Sequence, residues 1–483
     1  MTTHQQRPGI TRALSIALLL GAFHTPLAAK VSPEEAAQLG MPEDDTPLTP
    51  VGAERAGNAD GSIPPWTGGI TTPPPGYVKG GWYVDPYADD QPLFTIDVSN
   101  YKQYEDKLTP GTIALINRYP DTFTVPVYPT RRSAAYPEWF YEGSIYNATH
   151  AEWCGSDDPV RAERCLKRDS VQRGIHFPIP KTGGELLWNH TFTYWGRKFE
   201  AHAYGANAYA NGGYVDVHKV SRWMQYHMLG EDLGDPYFHR LGGAMLCYSE
   251  YDIAPPRSAG QVFGGCNNWS ESDFDAYIYV PGQRRVRKAP ELGFYDSPGS
   301  GSDGLRTADQ RLGWFVSGGE EWYEYLPIRK VEVFAPYNAY KMADPNVTFD
   351  DLMGVGHINP QYKRYELHRH WVVEGKLRTQ YRHIFPHRRA FIDEDSWHVT
   401  TADMYDKQDQ LWRVTEIYQL NYYDQPLPFV WGDANMDMQN GRYAASPHWH
   451  NIGNADGNGP PEMEGDLPLD YYTPAGLRRI GVR

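Results

Sequence analysis

The sequence predicts a β-rich α+β protein organised around one large antiparallel sheet, with a helical pair packed against it. Three observations carry that expectation. The chain is rich in strand-favouring aromatics, with 35 Tyr, 17 Phe and 15 Trp, while 47 Gly and 39 Pro break it into short pieces. Residues Tyr365 to Leu377 alternate: Tyr365, Leu367, Trp371, Val373 and Leu377 on one face, Glu366, His368, His370, Glu374 and Lys376 on the other. Hairpin signals recur through the second half, and one clear helical region precedes them.

The first 29 residues read as a cleavable signal peptide. Arg7 and Arg12 precede an apolar run from Ala13 to Phe23, and the small residues Ala28 and Ala29 follow. The run is shorter than the roughly 20 residues that span a bilayer. Cleavage is expected near Ala29, and the first cysteine is Cys154, so the product is expected not to be a lipoprotein. Removing two Arg and no acidic residue moves the net charge from −15 to −17, which argues against nucleic acid as a partner. With a mean hydropathy of −0.62, membrane contact is expected to be peripheral at most.

Residues 30–75 form a Pro- and Gly-rich arm holding one short helix signal, with Ser32 as N-cap and Pro33 in the first turn. Residues 76–445 are expected to be a single β-rich domain and 446–483 a C-terminal arm. A helical pair is predicted near Asn100 to Leu108 and Thr109 to Tyr119, where Pro110 starts the second member and Pro120 ends it. From Glu185 onward strands are expected to dominate. Asp275 to Val280 with Arg284 to Lys288, and Trp397 to Tyr405 with Leu411 to Tyr422, read as hairpins. The pentapeptide Gly57-Asn58-Ala59-Asp60-Gly61 recurs at 453–457 and reads as a tight turn in both places.

In an exported chain the four cysteines read as disulfides, and the local pairs Cys154 with Cys165 and Cys247 with Cys266 are favoured. Zinc is the weaker alternative, because no C-x2-C pair exists. No nucleophile elbow, zinc-protease motif, phosphate loop or dinucleotide fingerprint is present, so no catalytic residue, metal or cofactor is assigned.

Four features bear on function. His368 and His370 share a strand face as metal ligands would, and His448 and His450 repeat the spacing, yet a solvated polar face explains the first pair equally well. The run Asp393-Glu394-Asp395 holds the carboxylates a glycoside hydrolase needs, but a charged strand end is the simpler account. Arg284, Arg285, Arg287 and Lys288 make one dense basic segment that suits a headgroup or acidic partner, or surface ion pairs. Among the tryptophans spread over the sheet, Trp188, Trp322 and Trp371 are candidate walls of an apolar hollow, against ordinary core packing.

The segments Ala53 to Gly69, Tyr128 to Glu142, Arg284 to Glu291, Pro336-Tyr337-Asn338, Arg364 to Gly375 and Phe391 to Trp397 resemble, in order, the exported bacterial proteins grouped as domain of unknown function 1329. That family is similar to outer-membrane lipoprotein-sorting proteins. The resemblance implies a curved, unclosed antiparallel half barrel with helices on its concave side. It also implies periplasmic traffic of hydrophobic compounds beside a resistance-nodulation-division-type exporter and an outer-membrane barrel. The expected function is non-enzymatic binding or transfer of a lipid or other hydrophobic molecule. An exported hydrolase and a structural partner of an outer-membrane complex are the alternatives.

Overall fold

The computed structural model describes residues 1, 31–154, 165–225, 244–268, 274–288, 299, 301–314, 322–448, 467 and 469–482. Among the described residues sixteen strands join in one sheet. In chain order they are β1 (Phe94–Ile96), β2 (Val125–Val127), β3 (Lys198–Ala208), β4 (Tyr214–Gln225), β5 (Ala244–Ala254), β6 (Val262–Asn268), β7 (Phe274–Val280) and β8 (Arg285–Lys288). There follow β9 (Tyr323–Tyr325), β10 (Arg329–Pro336), β11 (Tyr365–Leu377), β12 (His387–Asp393), β13 (Val399–Tyr405), β14 (Leu411–Tyr422), β15 (Leu427–Asp437) and β16 (Tyr443–His448). The spatial order is β1-β2-β11-β12-β13-β14-β15-β16-β3-β4-β5-β6-β7-β8, with β9 and β10 also pairing β11, so the sheet is unclosed. Pairing is antiparallel throughout except where Val127 of β2 meets Tyr365 of β11 in parallel.

Helices flank the sheet. They are α1 (Pro33–Ala36), α2 (Pro110–Arg118), α3 (Glu138–His150), α4 (Gly183–Phe192), α5 (Phe349–Leu352) and α6 (Pro474–Gly481). None is long and apolar enough to cross a membrane. The helix starts follow local chemistry. Ser32 and Glu35 form a capping box on α1, and the Thr109 hydroxyl accepts from Thr112 N at the head of α2. The first member of the predicted helical pair is a 3-10 helix, Tyr101–Lys107. Both predicted hairpins form, and Gly57 to Gly61 makes its tight turn, with Gly61 N donating to Asn58 O. The second pentapeptide lies outside the described residues. Both favoured disulfides are present, Cys247 and Cys266 facing each other across β5 and β6.

Two expectations fail for physical reasons. Residues from Glu185 were expected to be strand, yet Gly183 to Phe192 is α4, capped by Thr182. Every residue of that helix is buried, so it lacks the polar face that makes a helix readable. The polar face of β11 was expected to be wet, but Glu366, His368, His370 and Glu374 are buried. The central strands are covered on both sides: Val414, Tyr418 and Met436 pack with Leu115 and Ile116 of α2, while Ile417 and Phe429 belong to the core around α4.

Candidate functional site

An aromatic-walled cavity lies where β3, β4, β5 and β15 pass beneath the irregular segment 301–314. Strand register builds its floor. Phe199 pairs with Trp223 across β3 and β4 and both line the cavity, while Tyr248 continues the row on β5 beyond the lining. Trp195, just beyond α4, extends it, held by Trp195 N donating to Gln225 Oε1 at 2.6 Å. Phe429, Val430, Gly432 and Asp433 come from β15, and Lys219 and Glu250 from β4 and β5.

Segment 301–314 supplies the roof with Arg306, Arg311 and Leu312. It is pinned along its length. Asn207 Nδ2 donates to Gly301 O at 2.8 Å, Arg413 Nη2 to Gly304 O at 2.7 Å, and Gln310 Nε2 to Thr415 Oγ1 at 3.1 Å. Arg388 closes on Asp309 at 2.6 and 3.1 Å. The enclosed space is about 30 Å³ for the centres of water-sized molecules, room for roughly two waters. It therefore admits the end of a molecule. Trp188 and Trp322 belong to the main hydrophobic core, and Trp371 packs against it.

The cavity is also charged. Glu250 receives Lys219 Nζ and Arg311 Nη2, each at 3.0 Å. Burial pushes the Glu250 carboxyl up, but the two cations outweigh it and hold it at about 2. The Arg311 guanidinium also lies 4.6 Å over Trp223 and 4.4 Å over Tyr248. Burial pushes Asp433 up to about 6, with Arg306 and Asn435 pulling the other way.

A second cluster gathers the predicted histidines and acids. Asp393, Glu394 and Asp395, expected at an exposed strand end, are all buried. Arg132 grips Asp395 with two bonds of 2.8 and 2.7 Å, and Lys330 reaches Glu394 at 2.7 Å. Tyr337 and Ser396 N donate to Asp393 at 3.0 and 2.8 Å. His368 stands between Glu366 at 3.1 Å and Asp393 at 3.6 Å; burial lowers its basicity, but these carboxylates carry it above the usual value. Ligand atoms of His368, Asp393 and Asp395 lie within 4.8 Å of one another, so the end of β12 and the turn after it supply the partners that spacing along β11 did not. Arg132 engages both oxygens of Asp395, while Tyr337 and Ser396 N engage only Oδ2 of Asp393. His370 does not join the group, because its ring nitrogens meet His368 O and Thr400 Oγ1. His450 lies outside the described residues.

The remaining candidates are dispersed. Arg284, Arg285 and Arg287 are exposed on the β7–β8 hairpin, and Lys288 pairs with Asp275 at 2.7 Å. Trp188 is buried and donates from Nε1 to His176 Nδ1 at 2.8 Å. Trp322 stacks on Tyr381, and Trp371 lies under Lys330. None of these lines the cavity. The residues that do line it were missed because strand register and the crossing segment bring them together, and neither shows in spacing along the chain.

A family model described as "Protein of unknown function (DUF1329)" matches residues 95–478. An uncharacterized protein of Pseudomonas aeruginosa is 38% identical over 469 residues, covering 96% of this chain and 97% of its own. Among solved structures, a DUF1329 family protein from Desulfovibrio piger is 13% identical with a TM-score of 0.40, covering 61% of this chain and 97% of its own. A LolA superfamily protein from Nitrosomonas europaea is 8% identical with a TM-score of 0.35, covering 61% and 98%. The family match, spanning most of the chain, and the near full-length bacterial relative together show that this chain belongs to the DUF1329 family.

Proposed function

We propose that this protein is a periplasmic, non-enzymatic binding or transfer protein for a hydrophobic molecule, taken at the cavity beneath segment 301–314. The observation that carries the reading is the set of aromatic rings Trp195, Phe199, Trp223 and Phe429, brought together from neighbouring strands to wall one cavity. The signal-peptide grammar supports export. In this reading the protein works beside envelope transport machinery, an exporter of the resistance-nodulation-division type and an outer-membrane barrel being the partners that the family resemblance implies. The competing hydrolase reading loses support at Asp393, Glu394 and Asp395, whose carboxylates are buried in ion pairs where a sugar has no approach.

The test uses the mature chain and the apolar fluorophore 1-N-phenylnaphthylamine. Binding should quench Trp195 and Trp223 by energy transfer, and Trp223→Ala should weaken it about tenfold, since the ring contributes on the order of 1.5 kcal/mol of burial. Mass spectrometry of organic extracts from gently purified protein should show a co-purifying amphiphile. Absence of both probe binding and any extracted molecule would sink the proposal.

A further inference from the structure

The cavity holds more buried donors than it can answer. Arg306 is 5% exposed, and its Nε has no hydrogen-bond acceptor. Among the described residues its guanidinium makes no ion pair and meets Asp433 only through the field between them. The indole Nε1 atoms of Trp195 and Trp223, which line the same space, are likewise buried without acceptors. The other two cations are already engaged: Lys219 and Arg311 share Glu250. Asp433 accepts from Asn435 Nδ2 at 3.0 Å through Oδ2, while its Oδ1 accepts from no group.

We infer that this site receives the carboxylate head of an amphipathic molecule, with Arg306 as its charge partner and the indole N–H groups of Trp195 and Trp223 as neutral donors. The inference rests on the apolar-ligand reading above and names the class of ligand. Charge points the same way: Arg306 stands in the described lining beside Arg311, which Glu250 already holds, so an anion at Arg306 meets a cationic wall. Size favours a carboxylate, because room for roughly two waters suits a small planar head better than a branched phosphodiester. Guanidinium geometry favours it too, presenting two parallel N–H bonds to two oxygens. The aromatic row then takes the first carbons of the tail.

The experiment compares dodecanoic acid with methyl dodecanoate as competitors of bound 1-N-phenylnaphthylamine at pH 8, on the mature chain. The acid should displace the probe at a concentration at least tenfold below that of the ester. Arg306→Gln should abolish that preference, so that the acid competes no better than the ester, and Arg306→Lys should retain part of it. Circular dichroism and thermal melting establish that the variants are folded, and the wild-type acid and ester comparison stands without them. Equal competition by acid and ester in the wild type, or a preference that survives Arg306→Gln, overturns the carboxylate inference and leaves the apolar site intact. If the probe itself fails to bind, the underlying reading falls and this inference with it.

Discussion

Asp403 of β13 has no exposed surface, and burial pushes its carboxyl from 3.8 up to about 7. Arg389, His387 and the Gly111 N–H pull it down, while Glu374 pushes it further up. An acid with a raised folded-state pKa binds its proton more tightly when folded than when unfolded. Its contribution is therefore complete below about pH 4 and is lost as pH rises through 7. Three pKa steps correspond to about 4 kcal/mol. Asp403→Asn cannot ionise, so it should exceed the wild type in stability by up to about 4 kcal/mol at pH 8 and match it near pH 4. Urea unfolding at the two pH values checks this, and an equal gap at both would show that Asp403 does not titrate in that window. Chemistry of this kind is hard to read in sequence. The run Asp393-Glu394-Asp395 looks like a solvated strand end until Arg132, 263 positions before Asp395, is seen to grip it.

At the scale of elements, α2 shows what was readable and what was not. Thr109 and Pro110 announce its start, because capping and φ restriction act within a few residues. The hairpins β7–β8 and β13–β14 were readable for the same local reason. What α2 packs against is set elsewhere: a Cβ on Gly111 would stand 2.3 Å from Asp403 Oδ1 and 2.7 Å from Val414 Cγ1. The glycine lets the helix approach β13 and β14 closely. Gly111→Ala should therefore cost about 1–3 kcal/mol, despite alanine's better helix propensity. Denaturant unfolding measures this, and a neutral or stabilising result would mean that α2 can shift without loss. The helices α3 and α4 escaped notice because they are buried on several sides, as Phe140, Tyr141, Ser144, Asn147 and Ala148 show for α3.

Across the whole molecule, local signals place hairpin neighbours but leave the long-range joins unstated. The junction of β16 with β3 unites the later strands with the earlier ones, and nothing in either segment names the other. The N-terminal residues act at the same range. Glu54 O and Ala56 O accept from Arg132 and Arg369 at 2.8 and 3.0 Å, and Trp397 Nε1 donates to Val51 O at 3.0 Å. Ile70 N donates to Ser133 O at 2.9 Å. Arg55 ties the strap to itself through the carbonyls of Thr46, Gly40 and Met41. Residues 31–69 thus cover the buried Arg132–Asp395 and Arg369–Glu394 pairs and complete their hydrogen bonds. Deleting them strips backbone acceptors from two buried guanidiniums and lets water into the pairs, which should cost at least about 3 kcal/mol. The truncated chain should unfold at a lower urea concentration and be cut by trypsin within β11 and β12. A synthetic peptide of residues 31–69 should restore protection when added. An unchanged unfolding midpoint and an unchanged digestion pattern would show that the sheet holds those charges without the strap.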